Sequence, residues 1–272
     1  MNSATASSSL SPACKVCGAV SNFFDEAIVL NKHKVSYFRC IECGFLQTEE
    51  PYWIEEAYSS AIAGQDVGIM ARNLTNSEVV SAVLNLLFPN VSHAVDFGAG
   101  HGIFVRMMRD RGFNFFWSDP YATNDYARGF NAVPGKRFDF LTAFEVLEHL
   151  PNPLPDISRL MEMSDNVFVS TAVVSTPPPK IKDWWYFMPS SGQHISFYTR
   201  ESLCNLAARF QRHLLSFGSY HLFSSRQHSP LLFQLAVRPR AARILNKAFR
   251  RPSLIPEDLK KMTSWDQKDG AE

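Results

Sequence analysis

The chain has 272 residues, of which 46% are hydrophobic, with 27 basic and 26 acidic side chains and a formal net charge of +1. This size suits one sizeable globular domain and a small one. The near-neutral charge argues against a general nucleic-acid-binding protein. No apolar run reaches the length of a membrane span, and the N-terminus lacks the basic start and apolar core of a secretory signal. We therefore expect a soluble, cytoplasmic protein without a membrane span.

The N-terminal part is predicted to contain a disordered segment and a small zinc-binding unit. Residues 1–11 are mostly Ser, Ala and Thr and have little to bury, which favours disorder. Residues 12–50 contain two short apolar segments typical of strands, at 26–30 and 35–39, and two Cys-x-x-Cys pairs, each followed by glycine. The paired cysteines are Cys14, Cys17, Cys40 and Cys43.

Two matched Cys-x-x-Cys turns are typical of a tetrahedral Zn²⁺ site. Four thiolates leave no position for water, so the Zn²⁺ is expected to be structural. Disulfides or a redox pair are the alternatives, and the expected cytoplasmic setting disfavours both. The fifth cysteine, Cys204, lies in a helical pattern and is predicted to be a small buried residue.

Residues 51–90 are predicted to be a linker followed by a helix. The aromatic residues at 51–58 would form either a lid or a seal between the domains. Thr75-Asn-Ser-Glu78 has the spacing of a capping box, which predicts a helix that begins there and ends at Pro89.

The segment 93–102 predicts a buried strand, a tight glycine turn and the start of a helix. Glycine permits a sharp turn and close approach to a ligand because it has no Cβ. The turn contains Gly98, Ala99, Gly100 and Gly102. A dinucleotide fingerprint would require a sixth-position glycine, where this chain has Ile103. The Asp96 carboxylate would repel a pyrophosphate and attract a cationic amino-acid group. A purely structural turn is the alternative.

Acidic residues also follow two later predicted strands. Asp119 ends the apolar run 113–119, about 20 residues beyond the glycine turn, where a ribose-binding carboxylate is expected. The run 138–144 is followed by Glu145, Glu148 and His149. Acids at three successive strand ends favour a ligand site over coincidence.

Residues 91–237 are predicted to form a doubly wound, Rossmann-like α/β domain. The sequence does not show a strand between 120 and 137. No residue is therefore assigned to contact the base of a nucleotide-like ligand. Strands are expected near 93–97, 115–119, 138–144, 166–171, 213–219 and 230–237, with the last two antiparallel.

A long aromatic loop, residues 177–201, separates the strand expected near 166–171 from the strand expected near 213–219. Its four prolines and its Ser-Ser-Gly turn disfavour a regular strand or helix. Long loops in compact domains are usually functional, and this one would lie above the carboxyl ends of the strands, where ligands bind. It carries His194. A packed aromatic cover, with His194 as a hydrogen-bond partner, is the alternative.

Residues 238–272 are predicted to form a basic amphipathic helix and a tail that is loose from about residue 256. Docking of this helix on its own domain is favoured over binding to an anionic partner. Arg240, Arg243, Lys247 and Arg251 share one face, opposite Ala241, Ile244, Leu245 and Ala248.

Together these motifs resemble class I S-adenosylmethionine (SAM) methyltransferases. The Asp-x-Gly-x-Gly-x-Gly turn looks like their motif I, and the segment from Phe138 through Glu-Val-Leu-Glu-His-Leu is similar to another of their motifs. The four-cysteine unit and the SSGQHISFYT segment make residues 12–236 similar to the sugar C-methyltransferases, which act on nucleotide-linked deoxysugars. The resemblance implies a seven-stranded sheet and SAM as the cofactor.

The resemblance also implies roles for individual residues. Asp96 and the turn backbone would hold the methionine end of SAM, and Asp119 would accept hydrogen bonds from both ribose hydroxyls. The implied cofactor-binding set is Asp96, Gly98, Ala99, Gly100, Gly102, Asp119 and Glu145. His194 is the first candidate for general base, since a histidine pKa near neutrality suits proton removal. Glu145 and Tyr198 come second. His149 would either face the methyl-transfer site, as Glu145 does, or be the first residue of a helix.

The sequence therefore predicts a SAM-dependent methyltransferase that acts on a small polar acceptor, with a nucleotide-linked sugar as the candidate that the resemblance implies. One alternative is an RNA or protein methyltransferase that grips its substrate with the zinc unit. Against it, the basic residues of that unit are offset by acidic ones, and a phosphate-binding surface should be clearly basic. The other alternative is a non-catalytic module that binds SAM or a partner. The sequence does not indicate an oligomeric state.

Overall fold

The structure is a computed structural model that describes residues 11–58 and 67–269. The predicted disorder of residues 1–10 lies outside this range. The strands are β1 Ser21–Val29, β2 His33–Cys40, β3 Leu46–Thr48, β4 Ala94–Phe97, β5 Phe115–Ser118, β6 Phe140–Phe144, β7 Asn166–Ser170, β8 Ser196–Phe197, β9 His213–Phe217 and β10 Tyr220–Ser224. The helices are α1 Ile54–Ala57, α2 Ile69–Leu87, α3 Ile103–Asp110, α4 Pro153–Met163, α5 Arg200–Arg209, α6 Pro230–Ala236, α7 Pro239–Ala248 and α8 Ile255–Asp269.

The main sheet has six strands within the described residues, in the order β5-β4-β6-β7-β10-β9. The strands β5, β4, β6 and β7 are parallel, whereas β10 runs antiparallel to both β7 and β9. The predicted α/β class is confirmed. A seventh strand is not found among the described residues. Residues 120–137 form a loop that meets the sheet at a single bridge, between Asn131 and Trp117.

Both faces of this sheet are buried. Successive side chains of a strand point to opposite faces, so neighbouring residues belong to two different cores. Phe140 and Phe168 pack on the side covered by α2, α3 and α6. Their neighbours Leu141 and Val167 pack on the other side, with α4 and α5. The helices on both faces make the sheet doubly wound and leave the carboxyl ends of its parallel strands as an open edge.

The late part of the domain differs from its prediction. Residues 230–237 were predicted as a strand but form α6, because Pro230 occupies its first turn and Ser229 Oγ accepts a hydrogen bond from the Leu232 amide. The strand that pairs with β9 is instead β10, which follows a two-residue turn at Gly218 and Ser219.

Helix α2 begins at Ile69, six residues before the predicted capping box. The capping-box prediction was wrong because Thr75 lies inside the helix, whose N-cap is Gly68 without a side-chain cap hydrogen bond. Cys204 was also predicted incorrectly, since it lies on the exposed face of α5.

The C-terminal helices also correct the prediction. Helix α7 packs on α2 through a face that buries Ala242, whereas Ile244, predicted on the docked side, is exposed. The segment from about residue 256 was predicted to be loose, but it forms α8. In this helix Asp258 is buried against Arg109 and Arg106. An ion pair with a distant residue leaves no local sequence signal, so this helix was missed.

A second sheet, in the order β1-β2-β3-β8, forms the four-cysteine unit. Strands β1 and β2 confirm the two strands predicted there. The fourth strand comes from the long aromatic loop, whose β8 pairs with β3 through Phe197 opposite Leu46 and Ser196 opposite Gln47. The unit is therefore joined by backbone pairing to the loop that carries His194.

Candidate active site

A cleft of 1320 Å³ opens at the carboxyl ends of the parallel strands. Its walls are the glycine turn, the segments that follow β5 and β6, the start of α2 and part of the long loop. Ligand sites for single drug-sized molecules are about 300–1,000 Å³, so this cleft has room for two bound molecules. Ligands of open α/β sheets bind at this edge.

The glycine turn lies between β4 and α3 and is open to the cleft. The φ angles of its glycines are +70° at Gly98, +52° at Gly100 and +87° at Gly102. L-residues avoid this region because of their Cβ. A Cβ on Gly98 would lie 2.6 Å from Val146 Cγ2, so this position needs glycine for space as well. Ala99, between the first two glycines, also lines the cleft.

Asp96 is buried at the floor of the cleft. Its Oδ1 accepts a hydrogen bond of 2.6 Å from Thr142 Oγ1 on the neighbouring strand. Burial raises the pKa of Asp96 to about 7; the hydrogen bond from Thr142 opposes this effect and the charge of Asp119 adds to it. A cation in the cleft would favour the ionised form of this carboxyl group.

Asp119 follows β5 and holds the glycine turn in place. Its Oδ2 accepts from the Gly100 amide at 2.8 Å, and its Oδ1 accepts from the amides of Tyr121 and Ala122 at 2.8 and 2.9 Å. Trp117 Nε1 donates to the Gly100 carbonyl at 2.7 Å. Asp119 therefore orders both loops beside it, a role that the sequence did not indicate.

Glu145 follows β6 and lines the cleft with an unusual backbone conformation, at φ +52°. Its Oε1 accepts from Ser170 Oγ at 2.6 Å. The pKa of Glu145 is raised to about 7 by burial and by the charge of Glu148; Ser170, His194 and Arg72 act in the opposite direction. A non-glycine residue at positive φ is uncommon and is frequently found at functional sites.

His149 and His194 meet on the wall contributed by the long loop. Their ring centroids are 4.8 Å apart and nearly perpendicular. His194 Nδ1 lies 2.7 Å from the Tyr186 carbonyl, and His149 Nδ1 lies 3.1 Å from the Gln193 carbonyl and 2.9 Å from Tyr58 Oη. Burial lowers the pKa of both histidines, to about 3 for His149. Both imidazoles are therefore neutral at pH 7.

Glu148 lies directly behind these histidines and is fully buried. Its Oε1 accepts a 2.6 Å hydrogen bond from Tyr186 Oη. Burial raises the pKa of Glu148 to about 7, and the Tyr186 hydroxyl opposes this rise. Tyr186 thus contacts both Glu148 and His194. The sequence showed only that the loop is rich in aromatics, so this linking role was missed.

The structure brings most of the predicted catalytic and cofactor-binding residues to one cleft, but Gly102 and Tyr198 do not line it. Tyr198 is buried in the core, where its hydroxyl donates to the carbonyl of Leu147 at 3.1 Å and its ring packs on Phe45. It does not line the cleft, because β8 and the start of α5 turn it toward the zinc unit. Tyr198 is therefore not placed to act on a bound acceptor.

The four cysteines of the N-terminal unit form one cluster, with Sγ distances of 3.7 Å for Cys14–Cys43 and 3.4 Å for Cys17–Cys40. A tetrahedral Zn²⁺ with bonds of about 2.3 Å has sulfur–sulfur edges of about 3.8 Å. The amides of Val16 and Cys43 point to the sulfurs of Cys14 and Cys40, both at 3.4 Å. These residues fit a structural Zn²⁺ held between two cysteine turns.

A family model described as "Methyltransferase domain" matches residues 70–215, which is more than half of the chain. The chain belongs to the methyltransferase-domain family. The prediction of a methyltransferase is confirmed by this match. No curated protein matches the chain. No helix within the described residues of this methyltransferase is long and apolar enough to cross a membrane.

Solved structures similar to this methyltransferase include three methyltransferases of low sequence identity. An O-methyltransferase family protein from Burkholderia thailandensis is 15% identical over 64% of this chain and 68% of that chain, with a TM-score of 0.44. Magnesium protoporphyrin IX methyltransferase from Synechocystis PCC 6803 with bound SAH is 13% identical over 64% and 95%, with a TM-score of 0.41. The plantazolicin methyltransferase BpumL with SAH is 9% identical over 73% and 90%, with a TM-score of 0.45.

Proposed function

We propose that this methyltransferase transfers the methyl group of SAM to a small polar acceptor, and that nucleotide-linked sugars are the first acceptors to test. The observation that carries the proposal is the large cleft, which has the glycine turn and two carboxylates on one side and a histidine pair on the other. Its volume suits a cofactor and an acceptor together.

The cofactor side would be formed by the glycine turn, Asp96 and Asp119. The buried Asp96 carboxylate would bind the ammonium group of the methionine moiety, because an ionised acid in this setting gains from a cationic partner. Asp119 would accept a hydrogen bond from a ribose hydroxyl at Oδ2, which accepts only the Gly100 amide, whereas Oδ1 already accepts two amides. The amides of the turn would contact the methionine carboxylate, with Glu145 at the inner end of the cofactor.

The acceptor side would be formed by Glu145, His149 and His194. A sulfonium makes the methyl carbon electrophilic, so the protein has to position the acceptor in line and exclude water. The acceptor must also lose a proton. His194 remains the first candidate for promoting this loss, because Nδ1 donates to the Tyr186 carbonyl and leaves Nε2 with its lone pair.

A nucleic-acid substrate is less well supported. Three lysines of the zinc unit are already paired with acids: Lys15 with Glu50, Lys32 with Glu56 and Lys34 with Glu26. A surface that binds phosphates needs uncompensated basic residues. We therefore infer that the zinc unit supports the cleft.

Calorimetric titration of the zinc-loaded protein with SAM tests the cofactor assignment. We expect saturable binding that is lost in Asp96→Ala and Asp119→Ala and retained in Asp110→Ala, whose carboxylate pairs with Arg106 on the surface of α3. Loss of binding in all three variants, or no binding by the folded wild-type protein, would contradict the assignment. His194→Ala should keep SAM binding and lose S-adenosylhomocysteine formation with an accepted substrate.

A further inference from the structure

Three residues of the acceptor wall have the arrangement of a metal-ligand set. Glu148, His149 and His194 each offer one potential ligand atom, and these atoms lie within 4.8 Å of one another. Ligands of a cation with bonds of about 2.0–2.2 Å are separated by roughly 3–4.4 Å, so small rotations of these side chains would close the group around an ion.

A buried oxygen without a partner points to a missing ligand at this group. Oε2 of Glu148 has no hydrogen-bond partner among the residues that the structure describes, although the side chain is fully buried. Burial of an unsatisfied carboxylate oxygen is costly. Its partner Oε1 is held by Tyr186, so the carboxyl group is fixed while one of its oxygens remains unused.

The surroundings hold these three side chains as metal ligands are usually held. Each histidine has Nδ1 directed at a backbone carbonyl, His194 at Tyr186 and His149 at Gln193. Neither Nε2 has a hydrogen bond within residues 11–58 and 67–269. Metal-ligating histidines commonly donate their other ring N–H to a carbonyl or carboxylate in this way. The Ile195 amide also donates to the Glu148 carbonyl at 2.9 Å, which ties the two segments together.

The group is accessible from the cleft. His149 and His194 line it, and so does Glu145, whose carboxyl group interacts electrostatically with both Glu148 and His194. A cation bound by these three side chains would keep coordination positions open toward an acceptor in the cleft. Catalytic metal sites require such open positions, whereas the four-cysteine cluster has none.

We propose that Glu148, His149 and His194 bind a divalent transition-metal ion that coordinates the oxygen of an alcohol or phenol acceptor. Mixed imidazole and carboxylate ligands suit Mn²⁺, Fe²⁺ or Co²⁺. The proposal rests on the proposed function and deepens it, because it assigns the acceptor to oxygen nucleophiles. In this arrangement His194 acts as a ligand and the ion lowers the pKa of the acceptor hydroxyl.

The transfer step balances without a further reactant. The coordinated hydroxyl gives its proton to solvent water, and an oxygen lone pair attacks the methyl carbon. The new oxygen–carbon bond forms as the sulfur–carbon bond breaks, and the electron pair of that bond stays on sulfur. The products are the methyl ether and S-adenosylhomocysteine.

Titration of protein that contains one Zn²⁺ per chain, sufficient for the four cysteines alone, with MnCl₂ tests this site without any turnover when it is monitored by the EPR signal of free aqueous Mn²⁺. Mn²⁺ does not displace Zn²⁺ from thiolates, because it lies below Zn²⁺ in the affinity series and prefers harder ligands. We expect one Mn²⁺ to bind per chain. Glu148→Gln, which keeps the size of the side chain, and His194→Ala should each weaken binding at least about tenfold.

Two further variants make the test specific. Tyr186→Phe removes the hydroxyl that holds Glu148 and should weaken Mn²⁺ binding about tenfold while leaving all proposed ligands in place. His93→Ala removes an exposed histidine at the other end of β4 and should leave binding unchanged. Retained zinc and a cooperative unfolding transition would show that each variant is folded.

The outcomes separate this proposal from the cofactor assignment. No loss of the free Mn²⁺ signal with folded wild-type protein would overturn the metal site, whether or not SAM binds. Equal Mn²⁺ affinity in the wild-type protein, Glu148→Gln and His194→Ala would also overturn it. Mn²⁺ binding that depends on these residues in a protein that fails to bind SAM would support the metal site and refute the proposed function.

Discussion

Buried acidic side chains distinguish this cleft from an ordinary strand-to-helix junction. Asp96 and Glu148 are both buried, and burial raises the pKa of each carboxyl group to about 7. Such groups are costly to the unliganded fold and are useful where a cation binds. Asp96 faces the proposed ammonium group of SAM, and Glu148 faces the proposed metal ion. Under these proposals Asp96 belongs to the cofactor side of the cleft, and Glu148, which lies behind the wall, belongs to the acceptor side.

The affinity for SAM should depend on pH through Asp96. Because its pKa is about 7 in the free protein, Asp96 is mostly neutral at pH 5.5 and must ionise to bind an ammonium group. Affinity should therefore rise by up to about tenfold per pH unit between pH 5.5 and 7, and level off near 7.5. The stability of the unliganded protein has the opposite pH dependence. Because the pKa of Asp96 is raised by folding, its contribution to the free energy of unfolding is lost as pH rises through about 7. Calorimetry across this range measures the affinity.

Asp96→Asn is the matched control for this pH dependence. The amide keeps the shape of the side chain but cannot ionise, so binding should be weak and nearly constant across the same range. A pH dependence as steep in Asp96→Asn as in the wild-type protein would assign the titration to another group.

The glycine turn offers a comparison between two alanine substitutions at positive φ. Gly98→Ala places a Cβ 2.6 Å from Val146 Cγ2, whereas Gly100→Ala meets nothing within 4 Å. Both substitutions should lower the free energy of unfolding by about 1–2 kcal/mol because of the left-handed conformation. Gly98→Ala should lower it further because of the steric overlap. Urea denaturation should show the greater loss of stability for Gly98→Ala. Equal losses would mean that Val146 moves aside freely.

At the scale of elements, sequence patterns predicted the parts whose signals are local. The glycine turn, the buried parallel strands and the cysteine pairs each carry their pattern within a few residues. The strand predicted at 230–237 failed because an apolar run suits a strand or a buried helix, and the Ser229–Pro230 start decides for a helix. The Glu148–Tyr186–His194 contacts could not be predicted, since they join a strand end to an irregular loop.

Helix α8 is attached by an ion pair that mutation can test. Arg109 is 5% exposed and donates two hydrogen bonds to Asp258, at 2.9 and 2.6 Å. Burial alone would raise the pKa of Asp258, but the bonds from Arg109 and Arg106 hold it below its usual value. Asp258→Ala leaves the Arg109 charge buried and unpaired, which should cost about 3–5 kcal/mol of unfolding free energy.

Urea denaturation of Asp258→Ala, with Asp110→Ala as a control, measures this cost. Asp110 pairs with Arg106 near the surface, so its loss should cost less than about 1 kcal/mol. The depressed pKa also means that the Asp258 contribution is present above pH 4 and disappears as the group is protonated at lower pH. Equal costs for the two variants would show that α8 contributes little to stability.

On the scale of the whole molecule, the four-cysteine unit and the cleft form one connected structure. The Thr48 amide donates to the Ile195 carbonyl, and the Ile195 amide donates to the Glu148 carbonyl. Thr199 Oγ1 donates to the carbonyl of Cys43, and Thr199 is also the N-cap of α5. Hydrogen bonds therefore join the four-cysteine unit to both ends of residues 195–199, which follow His194: Thr48 bonds Ile195 and the proposed zinc ligand Cys43 bonds Thr199.

Removal of Zn²⁺ should consequently affect the cleft as well as the unit itself. Structural Zn²⁺ sites contribute on the order of 10 kcal/mol to folding, and the proposed ligand Cys43 lies directly before Gly44, Phe45 and β3. In Cys40→Ser we expect a lower Tm and faster hydrogen exchange at residues 195–199, because β8 loses its ordered partner β3. Cys204→Ser, at an exposed cysteine outside the cluster, should change neither. If exchange at 195–199 stayed slow in a zinc-free protein whose Tm had fallen, the unit would stabilise the chain without positioning the acceptor wall, and the role inferred for it here would be wrong.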